Sequence, residues 1–202
     1  MKKITMTLKV LTVTAAFVIL AGCNTLSRNA QSSSLIIIES ITGTTMAGDV
    51  VAFLQSDVLD DDGFVRANTA TANITIRLVN PDPINGPSQF NDVVLTRYRV
   101  TYELEDGSPG TPGTDVPFPF DGNFSTVLCE VDKSTAVPFV VVLEAAKIAA
   151  PLNSLIGTLT VYNRRAKIEI FGHDLTDKPV TATGYLTIYF ADYQEPGPAP
   201  KI

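Results

Sequence analysis

The chain has 202 residues, of which 15 are Lys or Arg and 21 are Asp or Glu, so its formal charge at neutral pH is −6. Hydrophobic residues make up 45% of the sequence, which is enough to build a packed core and excludes wholesale disorder. One His and two Cys are too few for a multi-histidine metal site, a zinc finger or a disulfide scaffold.

The first 22 residues have the layout of a secretory signal peptide. Lys2, Lys3 and Lys9 form a basic start, and an uncharged apolar run follows over residues 10–22. Polar residues come directly after this run, so it is too short to supply the roughly 20 apolar residues of a membrane-spanning helix. We therefore predict that residues 1–22 are cleaved from the mature protein.

The apolar run ends in Leu20, Ala21, Gly22 and Cys23, which resemble a bacterial lipobox. Small residues before the cysteine suit the close approach of a peptidase, and the Cys23 thiol can carry a thioether-linked lipid. The sequence predicts acylation of Cys23 with palmitate-type chains and attachment to a bacterial membrane. Asn24 is unlike the Asp that marks inner-membrane retention, which favours the outer membrane, with the protein facing the periplasm or the cell surface.

Cleavage would leave a mature chain with 12 basic and 21 acidic residues and a formal charge of −9. An acidic surface repels nucleic acid and anionic headgroups, so membrane attachment must come from the lipid. With Cys23 acylated, Cys129 has no disulfide partner. Because Cys129 ends an apolar, strand-like run, we predict a small buried hydrophobic residue and not a reactive thiol.

The mature chain divides into a flexible tether over 23–33, one domain over 34–193 and a Pro-rich disordered tail over 194–202. Hydrophobic and polar residues alternate over 70–79, 93–104 and 180–190, as in strands with one buried face. In the second segment this alternation places Val94, Tyr98, Val100, Tyr102 and Leu104 on one face, opposite Arg97, Arg99, Thr101 and Glu103. The alternation predicts that six side chains lie inside the domain: Ile74, Ile76, Leu78, Leu186, Ile188 and Phe190.

Further strands are predicted over 34–42, 50–58, 116–128, 136–143 and 164–173, and the last of these forms a hairpin with 180–190. The only segment able to form a helix is 141–150, which should be buried because its apolar residues lie on all sides. These elements predict an all-β fold, a two-sheet immunoglobulin-like β-sandwich with at most one short helix.

The acidic loop that contains Asp57, Asp60, Asp61 and Asp62 is the best candidate for a metal site. Calcium takes six to eight oxygen ligands, which clustered carboxylates on a glycine-containing loop can supply. The spacing does not fit an EF-hand, and the alternative is a solvated turn between two strands. Calcium is the one cofactor that the sequence suggests.

His173 is the only side chain with an ordinary pKa near neutrality, and a neighbouring Asp174 makes it a candidate acid or base. No nucleophile elbow, phosphate-binding loop or zinc-protease motif accompanies it. We therefore predict a structural histidine and a protein that is not an enzyme.

Two further features bear on binding. Phe118, Phe120 and Phe124 share strand parity, which predicts that all three pack into the core; the alternative is an exposed stripe that binds a partner. Pro-rich segments over 80–90 and 107–115 are predicted loops that present a recognition surface away from the lipid.

The lipobox and the all-β remainder resemble small bacterial envelope lipoproteins without an assigned activity, and the segments 171–175 and 182–188 also look like parts of such a family. The resemblance implies no catalytic residue. The expected function is a lipid-anchored, noncatalytic binding or structural module whose partner is a neighbouring envelope protein or glycan. The alternatives are a Ca²⁺-dependent adhesion or carbohydrate-binding domain that uses the acidic loop, and an enzyme that uses His173 with carboxylates.

Overall fold

The structure is a computed structural model that describes residues 32–60, 62–80, 86 and 88–193. The predicted signal peptide, Cys23, the tether up to residue 31, Asp61 and the tail from residue 194 lie outside the described residues.

The described residues form two packed β-sheets, which confirms the all-β sandwich. The strands are β1 (Ser34–Thr44), β2 (Val50–Val51), β3 (Phe53–Asp57), β4 (Asn68–Leu78), β5 (Val93–Leu104), β6 (Phe120–Cys129), β7 (Ser134–Val142), β8 (Tyr162–Asp174) and β9 (Pro179–Ala191). The four-stranded sheet has the order β2-β1-β4-β7, and the five-stranded sheet has the order β3-β9-β8-β5-β6. The predicted hairpin between residues 164–173 and 180–190 is the β8–β9 pair.

The strand order is immunoglobulin-like, because β5, β8 and β9 lie together in one sheet and β4 pairs with β7 in the other. The chain passes from one sheet to the other at Ala52, between β2 and β3. There β3 pairs in parallel with β9, with Phe53 opposite Thr187. Gly43 allows the close approach of β1 to β3, since a Cβ atom at this position would lie 2.5 Å from the Phe53 carbonyl oxygen.

The core lies between the sheets and contains five of the six residues predicted from alternation. The sixth, Leu78 at the end of β4, is only half-buried, so its predicted position inside the domain is wrong. Ile74, Ile76, Ile188 and Phe190 have no exposed surface, and Leu186 is 1% exposed. Burial of such side chains, at about 25 cal/mol per Å² of apolar surface, is the main force that holds the two sheets together.

The predicted inner face of β5 is wrong at its start. Val93 and Leu95 are buried and Val94 is only half-buried, whereas Tyr98 and Val100 follow the predicted parity. The cause is a β-bulge. Leu95 and Arg97 each pair with a residue of β8, and between these two pairings β5 has one more residue than β8 has. One extra residue reverses which side chains face inward, because side chains alternate along a strand.

The one short helix predicted near 141–150 is confirmed, but its predicted burial is wrong. The structure has a single helical turn, α1 (Glu144–Lys147), followed by a 3₁₀ turn over Leu152–Leu155. Ile148 is 63% exposed, and Lys147 is the buried side chain of α1. A charged residue therefore occupies the inward position that an apolar residue was expected to fill. In the part of the chain that the structure describes, no helix is long and apolar enough to cross a membrane.

Candidate functional site

The solvent-facing side of the five-stranded sheet concentrates charged and aromatic side chains, and we call it the outer face. Its members are Arg97, Arg99, Thr101, Glu103, Asp121, Arg165, Lys167, Glu169, Phe171, Tyr185 and Tyr189. They come from alternate positions of β5, β6, β8 and β9, while the intervening residues, such as Ile168 and Ile170, are fully buried. The two-residue period of the strands thus places the polar set on one surface.

Arg99 lies at the centre of a charged row on the outer face. In the register of the sheet it is flanked by Asp121 on β6 and Glu169 on β8. Its Nε and Nη2 atoms donate to the two Asp121 carboxylate oxygens at 2.9 and 3.0 Å, a bidentate geometry. The hydrogen bond from Arg99 lowers the pKa of Asp121, and the Asp121 carboxylate raises the pKa of Arg99. Both side chains are still about half exposed, at 49% and 50%.

Two guanidinium groups stack on aromatic rings of the same face. Arg97 lies 3.9 Å from the centroid of the Phe171 ring, and Arg165 lies 4.6 Å from that of Tyr185. Glu103 accepts hydrogen bonds from Nε and Nη2 of Arg165 at 2.9 and 2.7 Å, which holds this guanidinium in place. The outer face therefore carries oriented cations and a half-exposed tyrosine.

A pocket opens on this face beside the edge strand β6. Its lining residues are Arg99, Thr101, Pro119, Phe120 and Asp121. The pocket brings a guanidinium, a hydroxyl and a carboxylate together beside Pro119 and Phe120. Donors and acceptors beside apolar residues are what a polar ligand or a protein side chain needs for a specific fit.

The three phenylalanines predicted for the core have different positions. Phe120 and Phe124 pack against the core, with ring centroids 6.3 and 4.9 Å from that of Tyr98. Phe118 is 62% exposed, so its predicted burial is wrong. It precedes the first residue of β6 and therefore belongs to the loop over residues 105–119, where strand parity does not apply.

The predicted metal ligands are turned toward protein groups. Asp57 is buried at the end of β3, whereas Asp60 forms an ion pair with Arg66, and Asp62 lies 3.8 Å from the same guanidinium. Asp61 lies outside the described residues. Among the described residues, no group of three or more His, Cys, Asp or Glu is arranged to hold a metal ion.

A buried lysine near this loop was missed by the sequence analysis. Lys147 is 1% exposed, and its Nζ donates to the backbone carbonyl of Asp57. Burial lowers the pKa of Lys147 to about 8 and raises the pKa of the Asp57 carboxyl. Oδ1 of Asp57 accepts the backbone N–H of Tyr193 at 3.1 Å. The available signal was the lysine itself, a lone cation in the apolar run over 141–150.

His173 lies near the end of β8, where its Nδ1 is 3.0 Å from the Asp174 carbonyl oxygen and 3.6 Å from an Asp177 carboxylate oxygen. Oδ1 of Asp174, the carboxylate predicted to accompany the histidine, instead accepts hydrogen bonds from Thr176 and from the backbone N–H of Lys178. These contacts organise the β8–β9 turn. The acid–base hypothesis thus depends on Asp177, whose side chain is 96% exposed.

Residues 81–85 and 87 of the predicted loop over 80–90 lie outside the described residues. The described residues 88–90 precede β5, which begins at Val93, whereas the predicted loop over 107–115 follows its last residue, Leu104, so these two parts lie at opposite ends of β5. The loop that contains residues 107–115 leads to Pro119, which lines the pocket of the outer face.

No protein-family model, no curated protein and no solved structure matches this chain.

Proposed function

We propose that the chain is a lipid-anchored, noncatalytic binding module of the bacterial envelope, held by acylated Cys23 and binding its partner on the outer face. The observation that carries this proposal is the Arg99–Asp121 pair that lines the pocket. These side chains are ordered by each other yet half exposed, so their remaining hydrogen-bonding capacity is open to a ligand.

Order in the free protein favours binding. A guanidinium that is already stacked or ion-paired loses less side-chain entropy when a partner arrives than a mobile arginine does. Arg97, Arg99 and Arg165 are all held in this way, by Phe171, Asp121 and Glu103 respectively. Arginine and aromatic residues are also the types that contribute most at protein interfaces.

The charges of the outer face indicate the kind of partner. Its four cations are Arg97, Arg99, Arg165 and Lys167, and its three anions are Glu103, Asp121 and Glu169. A nearly balanced surface suits a partner that both donates and accepts hydrogen bonds, such as an envelope protein or a glycan. It does not suit a polyanion such as nucleic acid.

The binding surface is tested by cross-linking the lipidated protein in native membranes. We expect the Arg99→Ala/Tyr185→Ala double variant to lose the cross-linked partner while its melting temperature stays nearly unchanged. The matched control is Arg77→Ala, an equally exposed arginine that is paired with Asp132 and lies on β4 in the other sheet. Retention of the partner by the double variant, or its loss from the control, would reject the outer face as the site.

The anchor is tested separately. We expect mass spectrometry of the mature protein to find an acylated N-terminal Cys23, and the Cys23→Ser variant to be neither acylated nor processed. An unmodified N-terminus, or one that begins at another residue, would reject the lipid anchor and leave the outer-face proposal standing.

A further inference from the structure

One end of the sandwich displays a group of exposed apolar side chains, which we call the apolar end. Val79 is 64% exposed, Phe90 57%, Leu128 48% and Leu175 43%. Large apolar residues that are exposed close together mark a contact surface.

Backbone hydrogen bonds around Asp92 bring these residues to one place. Phe90 lies in the 3₁₀ turn that directly precedes Asp92, and the carbonyl of Asp92 accepts the N–H of Leu175 at 3.2 Å. Leu128 pairs with Val94, two residues farther along the chain. The apolar end therefore draws on β6, on the entry to β5 and on the β8–β9 turn.

Hydrogen bonds join the N-terminal residues of the domain to the apolar end. The carbonyl of Ser33 accepts the N–H of Val79 at 2.8 Å, and Oγ of Ser33 accepts a hydrogen bond from Nδ2 of Asn91 at 2.8 Å. Ser34 donates to the carbonyl of Asn91 at 2.6 Å. The segment that leads from the proposed lipid thus joins the domain beside Val79 and Phe90.

Chain length limits how far this end can lie from the lipid. Nine residues separate Cys23 from Ser33. Even fully extended, they reach about 35 Å, at roughly 3.5 Å per residue. A surface confined so close to a bilayer meets it at a high effective concentration, so weak apolar contacts are enough to hold it there.

We propose that the apolar end rests on the bilayer that holds the lipid of Cys23, with Phe90 and its neighbours at the headgroup boundary. The proposal depends on the lipid anchor proposed above. It also sets the orientation of the domain, because β5 runs from this end to the other over 12 residues, about 40 Å at 3.3 Å per residue. The loop over 105–119 then points away from the membrane.

The charges near the apolar end indicate which lipids it accepts. Among the described residues, the acidic ones near this end are Asp92, Glu130, Asp132, Asp174 and Asp177, and the basic ones are Arg77, Lys133 and Lys178. Because the acids outnumber the bases, we expect contact with zwitterionic headgroups and repulsion by anionic ones.

Tryptophan fluorescence tests the proposal without background, since the chain contains no Trp. The Phe90→Trp variant and its control Phe118→Trp are each prepared as lipidated protein in phosphatidylcholine vesicles with brominated acyl chains. Phe118 is similarly exposed, at 62% against 57%, but lies in the loop over 105–119. We expect several-fold stronger quenching of Phe90→Trp than of Phe118→Trp. Equal quenching of the two, or no quenching of Phe90→Trp, would overturn the proposal.

Flotation of the same vesicles separates this proposal from the anchor. If the wild type floats and the Cys23→Ser variant does not, the anchor holds, and absence of quenching then counts against the apolar end alone. If the wild type does not float, the anchor is rejected and this proposal with it.

Two changes test the chemistry of the contact. Adding Val79→Asp and Leu175→Asp to the Phe90→Trp variant should reduce the quenching while flotation persists, and so should anionic lipid added to the vesicles. Stronger quenching with anionic lipid would overturn the predicted preference. Burial of the Phe90→Trp side chain in native membranes but not in protein-free vesicles would assign this end to a protein partner instead.

Discussion

The ammonium group of Lys147 donates a hydrogen bond to the backbone carbonyl of Asp57, which lies 90 residues earlier in the chain. This bond ties α1, in the connection between β7 and β8, to the end of the parallel strand β3. The carboxylate of Asp57 accepts the backbone N–H of Tyr193, just after β9. Through its backbone carbonyl and its carboxylate, Asp57 therefore joins β3 to α1 and to the segment after β9, three parts of the chain that are far apart in sequence.

Truncation of Lys147 should destabilise the domain. Lys147→Ala removes a long side chain that is 1% exposed, so we expect a loss of about 2–4 kcal/mol in the free energy of unfolding, as for other large-to-small core changes. Lys147→Met keeps the length of the aliphatic stem and should cost much less. Urea denaturation measures both. The control Lys133→Met, at a side chain that is 67% exposed, should leave the midpoint nearly unchanged.

The same lysine should make stability depend on pH in alkaline solution. Burial lowers its pKa in the folded protein to about 8, whereas the unfolded chain keeps the ordinary value near 10.5. Between these values the unfolded chain holds a proton that the folded protein has released, so the free energy of unfolding rises as the pH increases. We expect this rise between about pH 8 and pH 10 in the wild type and not in Lys147→Met. A parallel pH dependence in the two proteins would contradict the assignment to Lys147.

The strands and the core were predictable because hydrophobic and polar residues alternate over about ten residues. Since successive side chains of a strand point to opposite faces, such a run identifies both the strand and its buried face. The bulge at Thr96 was not predictable in the same way. It inserts one residue without any Gly or Pro to mark it, and the parity before it is therefore reversed. The exposure of Phe118 has a similar origin. The predicted strand over 116–128 begins four residues before β6 does, so the prediction assigned a loop residue to the inner face of a strand.

The outer face was predictable in composition but not in arrangement. Alternation over 93–104 predicts that Arg97, Arg99 and Glu103 lie on one side of a strand, and in the structure all three lie on the outer face. Which residue stands opposite each of them depends on the register between strands that are distant in sequence. The Arg99–Asp121 pair and the pocket beside it follow from that register. The burial of Lys147 likewise results from tertiary packing, which no local pattern encodes.

The crossing of the chain between the two sheets should not tolerate a side chain at position 43. A Cβ atom there would lie 2.5 Å from the Phe53 carbonyl oxygen and 2.7 Å from Cβ of Leu54, so backbone must move. We expect Gly43→Ala to cost about 1–3 kcal/mol, as overpacking does. At Gly86 a Cβ atom would meet nothing within 4 Å, and Gly86→Ala is the matched control. Similar denaturation midpoints for the two variants would contradict the close approach of β1 to β3.

The two faces of the four-stranded sheet should differ in their sensitivity to truncation. Ile76 has no exposed surface and lies opposite Ile36, so Ile76→Ala should reduce the free energy of unfolding by about 2–5 kcal/mol. Ile37, on the adjacent strand but 38% exposed, faces the other way, and Ile37→Ala should cost clearly less. Chemical denaturation of both variants compares the faces directly. A small cost at Ile76 would refute the assignment of that face to the core.

The thiol of Cys129 should be inert until the domain unfolds. Cys129 has no exposed surface, and burial raises the pKa of its thiol, which keeps it in the unreactive protonated form. We expect the native lipidated protein to react with a chromogenic disulfide reagent only at the rate of unfolding, and to release one equivalent of thiol in denaturant because acylation removes the second. The control Phe118→Cys places a thiol in the loop over 105–119, where the native side chain is 62% exposed, and this thiol should react at once. Rapid reaction of native wild-type protein would contradict the burial of Cys129, whereas two equivalents in denaturant would contradict acylation of Cys23.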